Sequence, residues 1–121
     1  FRRRAQYYPP ILRESNLSKW TSVWNRYSKR FHEAHGKEDR LTSLTFLHYC
    51  TEAALRILLA KAEIHAEETD TKWLCREIEA CSPEQIPQIA RVLEVLPSDL
   101  SESPKERFDK TLSLWQIATR A

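Results

Sequence analysis

A single glycine, Gly36, serves all 121 residues of this chain. Tight β-hairpins need residues at positive φ, and loops that cradle phosphate need backbone without a Cβ, so a chain this poor in glycine is restricted to helices joined by ordinary turns. Gly36 follows the apolar-periodic run Phe31-His32-Glu33-Ala34-His35, where it is expected at the C′ position that closes a first helix.

Side-chain periodicity agrees. Trp20, Val23, Trp24, Tyr27, Phe31 and Ala34 recur at helical spacing, predicting a helix over about 16–35 capped by Asn16 or Ser18. From Asp39 to Glu63, Leu41, Leu44, Leu47, Tyr49, Cys50, Ala53, Ala54, Leu55, Ile57, Leu58, Leu59 and Ala62 cover more than half of a helix circumference. Such a helix belongs at the centre of a bundle, with Leu55 and Leu58 among its deepest residues. Thr69 or Asp70 is placed to cap a third helix carrying Trp73, Leu74 and Ile78. Ser82-Pro83-Glu84-Gln85 and Ser103-Pro104-Lys105-Glu106 each set Ser at N-cap, Pro at N1 and Gln or Glu at N3, which predicts two further helices. Their expected inner faces are Ile86, Ile89, Ala90, Leu93 and Leu96, then Phe108, Leu112, Trp115 and Ala118. The fold class that follows is all-α: a compact bundle of about five helices with one long central helix, formed by residues 16–121. Residues 1–15, with three arginines, two tyrosines and Pro9-Pro10, read as a basic N-terminal arm.

Length suits one domain with one core. No apolar run reaches the ~20 residues of a membrane span, and the start of the chain lacks the apolar stretch of a signal peptide. Three cysteines, Cys50, Cys75 and Cys81, are an odd number in a chain able to fold unaided, so thiols in an intracellular compartment are expected rather than disulfides. The first residue is Phe rather than Met, consistent with a segment of a longer protein.

Charge is distributed unevenly. Residues 1–40 hold ten Lys/Arg against four Asp/Glu, a balance of +6, whereas residues 41–121 hold nine against thirteen, a balance of −4. A field polarised in this way attracts anionic partners to one end and permits head-to-tail contact between copies. Arg2, Arg3 and Arg4 precede Tyr7 and Tyr8. Lys19, Arg26, Lys29 and Arg30 lie on the first predicted helix away from its aromatic stripe. These seven residues are the candidate partner-binding set. Arginine beside tyrosine suits an acidic protein surface, and it equally suits phosphate contact with base stacking in RNA or single-stranded nucleic acid.

Catalytic and metal chemistry find less footing. His48 and Cys50 point about 200° apart on one helix, and Cys75 and Cys81 about 240° apart, so neither pair converges on an ion; the cysteines are expected to be small core residues and His48 a buried, satisfied histidine. No cofactor, metal or catalytic residue is assigned. The Ser-Pro pairs at 82–83 and 103–104 are also minimal proline-directed phosphorylation sites, where a phosphate at a helix N-terminus would reinforce the helix.

Phe46-Leu47-His48-Tyr49-Cys50-Thr51-Glu52-Ala53-Ala54-Leu55-Arg56-Ile57-Leu58-Leu59-Ala60 resembles the alanine-rich helix of HEPN domains, with Glu and a basic residue flanking an Ala-Leu pair before a leucine run. That resemblance implies a compact helical bundle. It also brings a ribonuclease alternative, since active members use Arg-x₄₋₆-His late in the bundle. Here Arg30 to His35 has that spacing on an early helix, and no histidine follows His65. The resemblance also admits a non-catalytic member that mediates assembly. The function expected from the sequence is therefore a non-enzymatic protein–protein interaction module of a larger intracellular protein, docking a partner through its basic N-terminal third or an apolar groove, with an RNA- or single-stranded-nucleic-acid-binding domain, including a HEPN-like ribonuclease, as the alternative.

Overall fold

A computed structural model describes residues 7–67, 69–96 and 102–120. Five α-helices account for most of them: α1 (Pro10–Gly36), α2 (Arg40–Lys61), α3 (Leu74–Glu79), α4 (Ile89–Val95) and α5 (Pro104–Arg120). A single 3-10 turn, Thr71–Trp73, leads into α3, and no strand occurs among the described residues. The fold is an all-α bundle.

α1 begins six residues earlier than its periodicity suggests. Pro9 is the N-cap and Pro10 the first helical residue, with Leu12 N–H and Arg13 N–H both donating to the Pro9 carbonyl. Proline has no N–H to lose in the first turn, and its fixed φ is already helical. The boundary between arm and bundle drawn at 15/16 therefore moves, since residues 10–15 belong to α1. Tyr8 is also buried.

The C-terminal end of α1 also differs from expectation. Gly36 is the last residue of α1 and does not have positive φ; that role falls to Glu38, at φ 58°. Asp39 N–H donates to Ala34 O and Glu38 N–H to His35 O, each at 3.0 Å. These are the two bonds of a Schellman motif with Glu38 at C′. α2 closes identically: Ile64 N–H reaches Leu59 O at 2.9 Å, Glu63 N–H reaches Ala60 O at 3.0 Å, and Glu63 has φ 57°.

The turn at 37–39 folds α2 back against α1, and Asp39 caps α2 by accepting from Thr42 N–H at 3.1 Å. The Thr42 side chain first, and this backbone N–H second, hold the Asp39 carboxyl below its ordinary value. α2 is the central helix, packed against α1, α3 and α5. Ala53, Ala54, Leu55, Ile57, Leu58, Leu59 and Ala60 are all at most 4% exposed, as the breadth of the apolar face requires. Leu41, at the first turn, and Tyr49 are exceptions, both exposed. The α1–α5 seam is aromatic: Trp24 stacks on Trp115 with centroids 4.5 Å apart, and Phe31 stacks on Phe108 at the same separation.

The two Ser-Pro boxes diverge. At Ser103 both reciprocal bonds form, Glu106 N–H to Ser103 Oγ at 3.2 Å and Ser103 N–H to Glu106 Oε1 at 3.0 Å, and α5 follows at once. At Ser82 the Gln85 side chain accepts from Ser82 N–H at 2.9 Å, yet only turns follow until α4 starts at Ile89. Pro87 is the cause, because it lacks the N–H owed to the Pro83 carbonyl and its ring clashes there. Restarting the helix shifts its phase. Val92 and Val95 are buried with Ile89, while Ala90 and Leu93, expected inside, face out.

Candidate functional site

At 100° per residue, the aromatic stripe of α1 occupies one side of the helix, while Lys19, Arg26, Lys29 and Arg30 fall within about 100° of arc on another. All four are exposed. Glu33 shares that arc and is also exposed, so the face carries a surplus of cations rather than cations alone. Lys19 to Arg30 spans roughly 16 Å of helix axis. Arg2, Arg3 and Arg4 lie outside the described residues.

Two of these cations sit on aromatic rings. The Lys19 ammonium lies 4.8 Å from the centroid of Trp20, and the Arg30 guanidinium 5.8 Å from that of Tyr27. Tyr27 in turn lies 4.7 Å from Tyr49 and 5.6 Å from Phe46, both on α2. Trp24 and Phe31 are core residues, as the stripe predicted, but Trp20 and Tyr27 are half-buried and Tyr49 is exposed. The aromatic core thus surfaces beside the basic face. Tyr49 escaped the sequence reading because its α2 position was counted only toward the apolar circumference.

Glu52 and Arg56, which carry part of the family resemblance, have a structural task. The Arg56 guanidinium donates to Glu52 Oε2 (3.0 Å), Ala66 O (2.7 Å) and Thr69 O (2.8 Å), and lies 5.1 Å from the Trp20 centroid. Thr71 Oγ1 donates to the same Glu52 oxygen. One largely buried ion pair therefore supplies donors to two carbonyls of the irregular segment between α2 and α3, those of Ala66 and Thr69.

The remaining candidates separate. Arg30 and His35 diverge by about 140° around α1; Arg30 lies over Tyr27, whereas His35 stacks on Phe31. His48 is exposed, against the edge of Tyr49, rather than buried as expected. Cys50 is a core residue whose thiol burial pushes up to about 12. Cys75 is exposed and Cys81 half-buried, so the expectation that all three fill the core fails at Cys75, which sits on the outer side of the short α3. Partial enclosure and the Glu79 carboxylate raise its thiol as well. Among the described residues, no three His, Cys, Asp or Glu side chains group as metal ligands, and no helix is long and apolar enough to cross a membrane.

No family model, curated protein or solved structure matches the chain.

Proposed function

We propose that the chain is a helical interaction module that docks an acidic protein surface through the basic face of α1. The observation that carries this reading is the exposed set Lys19, Arg26, Lys29 and Arg30 beside the emergent Tyr27–Tyr49 pair. Tyrosine and arginine dominate the energetics of protein interfaces because they combine large contact area with directed polar groups. Cations at the rim add long-range attraction to an acidic partner. The HEPN-like resemblance of α2 supports an assembly role, with Glu52 and Arg56 committed to holding the α2–α3 connection. Arg2, Arg3 and Arg4 extend the basic set by sequence.

A second reading is favoured by one feature. Arg30 over Tyr27, itself against Tyr49, offers the cation and ring surfaces on which single-stranded RNA or DNA stacks. Both readings predict that Arg26→Glu with Arg30→Glu weakens partner binding, with unchanged far-ultraviolet circular dichroism. Salt titration with a labelled oligonucleotide separates them. Counterion release gives a steep loss of affinity with salt, and absence of binding at ~50 mM salt removes the nucleic-acid reading. A protein partner bound with the same on-rate and affinity by wild type and double mutant would remove the basic face from either.

A further inference from the structure

His65, four residues past the end of α2, stands where the N-terminal segment, α1 and the α2–α3 connection meet. Its Nε2 is 2.8 Å from the backbone carbonyl of Tyr7, and its Nδ1 is 3.2 Å from Glu67 Oε1. A carbonyl and a carboxylate only accept, so both ring nitrogens must carry protons for both bonds to exist. The same carboxylate reaches α1, where Asn16 Nδ2 donates to Glu67 Oε2 at 3.2 Å and to Tyr8 Oη at 3.0 Å. The Tyr8 ring, itself buried, lies 4.8 Å from the imidazole.

We propose that His65 is a proton-operated latch: its imidazolium ties Tyr7 to Glu67 and so closes the junction of N-terminal segment, α1 and connecting segment, and the neutral ring opens it. Either neutral tautomer leaves one acceptor facing a lone pair, so deprotonation must break one of the two ties. Acidic and basic groups both surround the ring. Glu63 and Glu67 on its own segment and Glu77 on α3 oppose Arg13 on α1, Lys61 on α2 and Arg76 on α3. The two hydrogen bonds dominate. The Tyr7 carbonyl first, and the Glu67 carboxylate second, raise His65 above its ordinary 6.5. With the folded value raised above the unfolded one, the latch is closed well below that raised value and opens as pH rises through it, taking its contribution to stability with it. Arg2, Arg3 and Arg4 precede in sequence the segment it holds.

Nuclear magnetic resonance titration of the whole chain from about pH 5.5 to about 8.5 tests this independently of any partner. The His65 ring should titrate above 6.5. The Tyr8–His65 ring Overhauser contact and the Asn16 side-chain amide shifts should change with the same midpoint, while the Trp24 and Phe31 ring signals stay constant. Glu67→Gln should lower the His65 midpoint and weaken the coupled change. His65→Gln should abolish the pH dependence at Tyr8 and Asn16. A His65 midpoint at or below 6.5, or Tyr8 and Asn16 signals that ignore its titration, would overturn the latch.

Discussion

Replacing Gly36 by Ala should stabilise the protein, because the residue is helical and the space around it is open. A Cβ built at Gly36 meets no atom within 4 Å, and the backbone there is not left-handed. Alanine exceeds glycine by about 0.8–1.0 kcal/mol in a helix interior; at the final helical residue part of that is realised, giving roughly 0.5–1 kcal/mol. For a chain of this length the unfolding entropy is on the order of 0.25 kcal/mol per degree, so the melting temperature should rise by about 2–4 °C. Had Gly36 occupied C′, alanine would be forced into left-handed backbone at a cost of about 1–2 kcal/mol, and the sign would reverse. Glu38→Gly is the complementary test. It relieves the strain of φ 58° but enlarges the unfolded ensemble, for a net gain of roughly 0.5–1 kcal/mol. Urea titration followed by tryptophan fluorescence, with the slope unchanged from wild type, measures both. Loss of stability in Gly36→Ala, or in Glu38→Gly, would refute the placement of the cap. The two sites share one turn, so each variant should be measured singly.

Leu58→Ala, at 4% exposure in the central helix, should cost about 2–5 kcal/mol in the same titration; a loss below about 0.5 kcal/mol would make α2 peripheral. Arg56→Met should remove the guanidinium from the Thr69 carbonyl, leave the Ala66 carbonyl with only the Thr69 N–H, and leave Glu52 with an unpaired charge, for a loss of roughly 2–4 kcal/mol and faster amide exchange between residues 62 and 73. Exchange there that matches wild type would show that the clamp does not order this segment. Toward a thiol reagent near neutral pH, exposed Cys75 should react slowly because its thiol is raised, and Cys50 should react only on unfolding. Equal reactivity of Cys50 and Cys75 in the folded protein would contradict the buried placement of Cys50.

How much was legible depended on whether the relevant signal was local. The central helix could be read from α2 alone, because apolar residues around most of its circumference demand neighbours on every side whatever those neighbours are. The start of α1 was also local, but Pro9-Pro10 is ambiguous, since proline suits an extended arm and a helix N1 position equally. What decided it was Tyr8, whose burial against His65 is a contact spanning 57 residues. α4 failed for a different reason: the Ser82 box was recognised, yet Pro87 four residues beyond Pro83 forbids the helix that the box would start.

The candidate site divides along the same line. The exposure of Lys19, Arg26, Lys29 and Arg30 followed from the phase of one helix, which sequence records directly. That Tyr49 emerges against Tyr27, the ring under Arg30, depends on the register between α1 and α2, set by a turn centred on Glu38, two residues beyond Gly36. Arg56 shows the limit most sharply. Its sequence position marks it as an ordinary solvated partner of Glu52 four residues before, a pair worth a few tenths of a kcal/mol on an exposed helix. Its actual role requires Ala66 and Thr69 to fold back over it, and the residues that make this necessary are the carbonyls of an irregular segment, which have no side-chain signature at all.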